Sequence, residues 1–202
     1  VKSQRKQAKT AVARKKKKDG GRRKEEYVFQ FRRLQDIPKM GPGLFLNVVT
    51  EAAAVAVDTK KRDPEFWKIC MLRAEILAPL FYPSQVAALF KAFASVPCNA
   101  TTYVKEYEAL ATQAELHAEA FSAKHIAMCA AAAAKLDWYH APLFEAFGRV
   151  LPSRVRDWNA GDLAILMKSY AGLRIVDQEV LDAIANWVAT DVRNFPPKEL
   201  VS

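Results

Sequence analysis

No apolar run in the 202 residues approaches the roughly 18 to 20 that a membrane-spanning helix needs, so the chain is expected to be soluble and without a membrane partner. Glycine is scarce, at seven, while alanine is abundant and charges interrupt apolar stretches of helical length; an all-α fold is expected. The three cysteines, Cys70, Cys98 and Cys129, are odd in number, widely spaced and lack a CxxC pair. That excludes the disulfide framework of a small secreted protein and predicts thiols packed as small apolar groups in a reducing compartment. His117, His125 and His140 stand in no ligand spacing with these cysteines, so no metal is assigned. There is no Gly-rich phosphate loop, GxSxG, HExxH or DxDxDG, and no histidine has an evident Ser or Cys partner. No catalytic residue, cofactor or small-molecule substrate is assigned, and the chain is not expected to be an enzyme.

What is present is charge, unevenly spread. Residues 1–33 carry 14 Lys and Arg against three acids, whereas the remaining 169 residues carry 17 against 19. The opening "VKSQRKQAKTAVARKKKKDGGRRK" has no acid before Asp19 and no aromatic, so it cannot build a core of its own. Bound to a polyanion, Lys2 to Lys18 suit a helix that Gly20 and Gly21 would end. Two basic clusters flanking a spacer also suit a nuclear import signal. The lack of acids suits a mitochondrial presequence, although such segments are richer in Arg and Ser. An anionic membrane would attract the charge without any bulky apolar side chain to anchor it. Nucleic acid is the preferred reading, because each phosphate neutralised by Lys or Arg releases condensed counterions. The candidate RNA contacts are Lys2, Arg5, Lys6, Lys9, Arg14, Lys15, Lys16, Lys17, Lys18, Arg22, Arg23, Lys24, Arg32 and Arg33.

Between Glu25 and Gly43, Tyr27, Phe29 and Phe31 alternate as in a short extended segment, whose rings either clamp the helical body or stack on bases. Pro38, Gly41, Pro42 and Gly43 predict a loop before the first long helix.

The rest of the chain repeats. From the aromatics Phe81, Phe121 and Trp158, five residues on stand Val86, Ile126 and Leu163; six on stand Ala87, Ala127 and Ala164. Thirteen on stand Ala94, Ala134 and Ala171, and fifteen on Val96, Leu136 and Leu173. The spacings are 40 and 37 residues, and a further 37 reaches Phe195. A weaker copy without an aromatic aligns Val48, Val49 and Ala56 on Gly43. Such periods indicate a solenoid of paired helices. The expected organisation is a basic arm and connector over 1–42 and a helical-repeat domain over 43–202, with units near 43–80, 81–120, 121–157, 158–194 and a partial 195–202.

Within a unit, apolar residues five, six, nine, twelve, thirteen and sixteen positions after the aromatic share one face of the first helix. Ser122 and Asn159 are candidate N-caps, and Pro83 and Pro196 fit a first turn. Second helices are expected from Asp63, Asn99, His140 and Asp177, with Phe66, Tyr103, Phe144 and Leu181 filling the seam between units.

"FYPSQVA", "FSAKHIA", "WNAGDLA" and "FPPKELV" resemble the first helix of octotricopeptide and heptatricopeptide repeat proteins, helical-pair arrays related to those that accompany RAP and FAST-kinase-like domains. The resemblance covers about residues 43–202 and includes no RAP domain. It implies RNA binding in mitochondria or plastids, including roles as added components of mitochondrial ribosomes. Variable polar residues three and four positions after the aromatic would then offer side chains to bases: Gln85, Lys124, His125 and Asp162 are secondary candidates. Lys91 and Lys168, ten positions on, are candidates for phosphate. The same first-turn positions are polar in any helix that caps its own free N–H groups. With the body near neutral, no continuous cationic groove is expected, and the arm is expected to supply most RNA affinity.

The resulting expectation is a structural component of a ribonucleoprotein, foremost a mitochondrial ribosome in the matrix, with rRNA and neighbouring ribosomal or ribonucleoprotein proteins as partners. Plastid and nucleus are the other locations considered. The alternatives are a free-standing organellar RNA maturation or stability factor that reads single-stranded RNA, and a protein–protein adaptor whose arm is only a targeting segment.

Overall fold

The computed structural model describes residues 34–59 and 63–190. All 14 candidate contacts from Lys2 to Arg33, the expected extended stretch around Phe29, and the partial unit with Pro196 lie outside the described residues.

Eight α-helices and no strand occur among the described residues, in agreement with the all-α expectation. The first helices of the successive units are α1 (Pro42–Thr59), α3 (Pro83–Phe93), α5 (Ala123–Lys135) and α7 (Ala160–Leu173). The second helices are α2 (Pro64–Leu77), α4 (Val104–Leu116), α6 (Ala141–Arg154) and α8 (Gln178–Thr190). First helices pack on first helices and second on second, so two layers form, each helix touching its counterpart in the next unit.

A recurring short device joins the units. Ala78–Leu80, Ala118–Ala120 and Val155–Asp157 form 3-10 turns, each followed by an aromatic in extended conformation whose N–H donates back to the turn. These aromatics, Phe81, Phe121 and Trp158, are buried. The next residue caps the coming helix: Ser122 Oγ accepts from His125 N at 3.3 Å, and Asn159 Oδ1 accepts from Asp162 N at 2.8 Å. The aromatic is thus the pivot at which the chain leaves one layer for the other.

The first unit uses the same device with an aliphatic pivot. Ile37–Lys39 is a 3-10 turn, Met40 is extended and buried, and α1 starts at Pro42. Pro42 and Gly43 therefore belong to the helix rather than to a loop, and the unit's register begins at Met40, three residues before the expected Gly43. An arginine fixes this register independently. Arg73 Nε and Nη2 donate to Met40 O at 3.2 and 2.7 Å, and 33 residues separate the pair. Arg154 Nη1 donates to Phe121 O at 3.0 Å across the same 33-residue interval. One cation on the second helix clamps the pivot carbonyl of its own unit in both cases.

Second-helix starts follow the expected caps at three of four places. Asp63 Oδ1 accepts from Phe66 N, His140 Nδ1 from Leu143 N, and Asp177 Oδ1 from Val180 N, each at 3.2 Å. Asn99 instead turns its side chain onto Thr101, accepting from its N at 3.0 Å and its Oγ1 at 2.9 Å, so α4 begins five residues later, at Val104. That shift leaves Tyr103 half-buried and puts Tyr107 in the core, where its hydroxyl donates to Cys98 O at 2.9 Å. Phe66 and Phe144 fill the seam as expected, whereas Val180, rather than Leu181, is buried in the first turn of α8.

The buried face of the first helices is wider than expected, by two columns. Positions eight and eleven after the pivot are buried (Leu89 and Ala92, Cys129 and Ala132, Leu166 and Ser169), while Ala171, thirteen on, is exposed. Both α5 and α7 end on left-handed residues, Asp137 (φ 50°) and Arg174 (φ 57°), with Trp138 N and Ile175 N reaching back to Ala133 O and Tyr170 O. Gly148 in α6 is required by close approach: a Cβ there would stand 2.5 Å from Asp177 Oδ2, the cap of α8.

Candidate nucleic-acid interface

Residue size decides how near the helices come. α5 reads "AKHIAMCAAAAAK" and packs against both α7 and α3. A Cβ on Gly172 of α7 would lie 3.9 Å from the Ala134 Cβ of α5. Second helices instead bury large residues: Phe66, Trp67, Tyr107, Phe144 and Phe147. First helices form one face of the array, termed its inner face, and second helices form the other.

Charge is divided along the same line. α3, α5 and α7 carry Lys91, Lys124, Lys135 and Lys168 against the single acid Asp162. α4, α6 and α8 carry Lys105, Arg149 and Arg154 against six acids. The near-neutral body therefore conceals a cationic inner face over its last three units. The expectation of no continuous cationic groove concerned the whole body, and the first-helix layer as a whole sets these four lysines against Glu51, Asp58 and Asp162.

On that face a groove of about 400 Å³ runs across α3, α5 and the start of α7. Lys91, Lys124 and Lys135 rim it; Ala127, Met128 and Ala131 form its floor; Asp162 and Ile165 close the α7 side. The three lysines are exposed, and none is ion-paired among the described residues. The Ser95 hydroxyl at its edge donates to Lys91 O at 2.8 Å and so is satisfied by the last turn of α3. A larger cavity of about 780 Å³ lies between the Ala118–Ala120 turn and α6, but its lining mixes Glu115 and Glu119 with Arg149 and Arg154. Arg154 there is already engaged by two backbone carbonyls and by Asp157 at 3.7 Å. The smaller groove is the one whose cations are free, with Asp162 the single acid in its lining.

The structure thus brings together three of the secondary candidates, Lys91, Lys124 and Asp162, and leaves the others outside the groove. Lys168 is exposed on α7 without lining it. Gln85 Oε1 accepts from Tyr82 N at 2.9 Å, holding the start of α3. Asp162 is likewise occupied, its Oδ2 accepting from Asn159 Nδ2 at 2.6 Å. His125 is half-buried, its ring edge-on to Phe121 with centroids 6.5 Å apart; burial, and secondarily Lys124, lower its pKa. Lys135 was not among the candidates. It shares its column with Ser95 and Gly172, so no recurring residue type marks it, and only the fold brings it back to Lys91.

No helix of the described residues is long and apolar enough to cross a membrane, and no group of three His, Cys, Asp or Glu among them is placed to hold a metal ion. No curated protein matches the chain. A family model, RNA-editing substrate-binding complex 6 protein, matches residues 34–202, which takes in all eight helices. The chain belongs to that family. The match carries the RNA-associated, helical part of the expectation; it is not to the octotricopeptide or RAP-type proteins that the repeats resemble, and it names no ribosome.

Proposed function

We propose, from membership of this family and from the lysine-rimmed inner face, that the protein is a non-catalytic, RNA-holding subunit of an RNA-editing substrate-binding complex in the mitochondrial matrix. The observation that carries the reading is the convergence of Lys91, Lys124 and Lys135 on one groove of an array that the family model spans. Cations so placed and left unpaired are suited to phosphate, which positions a nucleic acid without demanding chemistry from the protein. The basic residues from Lys2 to Arg33 would add sequence-independent affinity by the same counterion release.

A holding role is also supported by the state of the nucleophiles. Burial pushes the Cys98 thiol up to about 12 and raises those of Cys70 and Cys129 as well, which keeps all three protonated near neutrality. The ribosomal reading has no support from the family match, so an editing assembly replaces it here, with the other subunits of that assembly as protein partners.

The test is sedimentation of organelle lysate on a gradient, with and without ribonuclease. The chain is expected in RNA-bearing particles distinct from ribosomal subunits, moving to lighter fractions on digestion. Comigration with ribosomal particles would restore the ribosomal assignment, and sedimentation as a free protein would refute both.

A further inference from the structure

We propose that the inner-face groove seats the phosphate backbone of single-stranded RNA and reads no base, so that the helical array holds RNA irrespective of sequence. This rests on the RNA-holding reading above and adds the ligand's strandedness and the mode of recognition.

Base recognition needs side chains whose donors and acceptors are free to meet a base edge. In the three units with first-turn polar residues in view, the position four after the pivot holds Gln85, His125 and Asp162, of which Gln85 and Asp162 are partly engaged at their own helix start. Gln85 closes on Tyr82 N at 2.9 Å, and Asp162 is held by Asn159 at 2.6 Å while its own N–H donates to Asn159 Oδ1 at 2.8 Å. His125 lies edge-on against Phe121 and is kept toward its neutral form by burial. The groove floor, Ala127, Met128 and Ala131, offers apolar surface and no strong hydrogen-bonding group. Every cation on α3, α5 and α7 is a lysine. Lysine is a compact point charge, whereas the planar fork that recognises guanine belongs to arginine.

The dimensions favour a single strand. A cleft of about 400 Å³ is at the small-ligand end of protein sites, the scale of one sugar-phosphate unit rather than of a helix. Its rim places Lys91 and Lys135 on α3 and α5 and Lys124 at the far end of α5, so a strand crossing the alanine floor passes cations on both sides. A duplex would meet the rim along one strand only and leave the floor empty.

The experiment uses the full chain and fluorescently labelled 12-nucleotide RNAs (oligo-U, oligo-A, a mixed sequence and a duplex) with anisotropy read over a KCl series. For single strands each neutralised phosphate contributes roughly 0.7 to the slope of log K against log salt. The triple variant Lys91→Gln, Lys124→Gln, Lys135→Gln is therefore expected to lower the slope by about 2, equally for every single-stranded sequence. Lys68→Gln with Lys105→Gln, two exposed cations of the second-helix layer, should leave the slope unchanged, and thermal melts of both variants report on folding. Gln85→Ala and Asp162→Ala should leave the ranking of the sequences within about threefold. An unchanged slope in the triple variant, with the parent still bound, would place RNA on the basic segment alone and overturn the inference. So would a tenfold change in sequence ranking on replacing Gln85 or Asp162, or an equal slope loss on duplex. Failure of the parent chain to bind any RNA would overturn the RNA-holding reading beneath it.

Discussion

The two helix layers are built from different residues, and the difference has consequences beyond packing. In α5 the buried positions are Ile126, Ala127, Cys129, Ala130, Ala132 and Ala133; in α6 they include Leu143, Phe144, Phe147, Val150 and Leu151. Small side chains let first helices close up, and large ones hold second helices apart. Lysines from α3 and α5 meet at one groove of the first-helix layer, while the acids of α4 and α8 lie in the other layer.

If size is what separates the layers, they should fail in opposite ways. Phe147 is fully buried in α6, its ring centroid 5.6 Å from that of the pivot Phe121. Phe147→Ala should cost about 3 to 5 kcal/mol, the range for emptying an aromatic site in a close-packed core. Denaturant unfolding checks it, and a loss under about 1 kcal/mol would mean that the second-helix layer is not held open by its aromatics.

The opposite change belongs to α5. Ala133 is fully buried, and Ala133→Leu must either force neighbouring helices apart or take an unfavourable rotamer, at about 1 to 3 kcal/mol. Because the inner face would open, RNA affinity should fall along with stability, whereas Phe147→Ala should leave the affinity of the molecules still folded unchanged. Equal affinity in both variants would separate the groove from the spacing of the first helices.

How much of this was legible in the sequence depended on whether a residue acts through its neighbours in the chain or across units. The period was legible, because a pivot aromatic and the aliphatic–Ala pair after it recur at Phe81, Phe121 and Trp158. So were the caps at Asp63, Ser122 and Asn159, where a short polar side chain needs only the next helical turn. Asn99 was misread because the same chemistry closes a tight turn on Thr101 as readily as it caps a helix. Met40 escaped because it performs an aromatic's task without being one, and its register is declared by a hydrogen bond from Arg73, 33 residues away. Lys135 and the division of charge escaped for a related reason. A sum over the chain has no sides, and only the assignment of each lysine to a layer gives it one.

The arginine clamps supply the finest comparison, since they act at the junction of the two layers and occur in alternate units. Arg73 and Arg154 stand 33 residues after Met40 and Phe121, and the second unit has the fully buried Ala114 at that place. A charged donor on a carbonyl is stronger than a neutral one, but the Arg154 side chain is 36% exposed and its pair with Asp157 is a surface contact of little weight. Arg154→Ala is therefore expected to cost about 1 kcal/mol, near the lower end for such bonds. Arg154→Lys should recover only part of it, because Nη1 alone donates to both Glu119 O and Phe121 O and the shorter lysine side chain does not bring its nitrogen to that point. Amide exchange gives the sharper reading. In Arg154→Ala the Phe121 amide, which donates to Ala118 O, should lose protection while the Phe81 amide, in the unit with no clamp, keeps its own. Equal loss at both pivots would mean that the arginine stabilises the array as a whole, and that the junctions between layers are set by the buried aromatics alone.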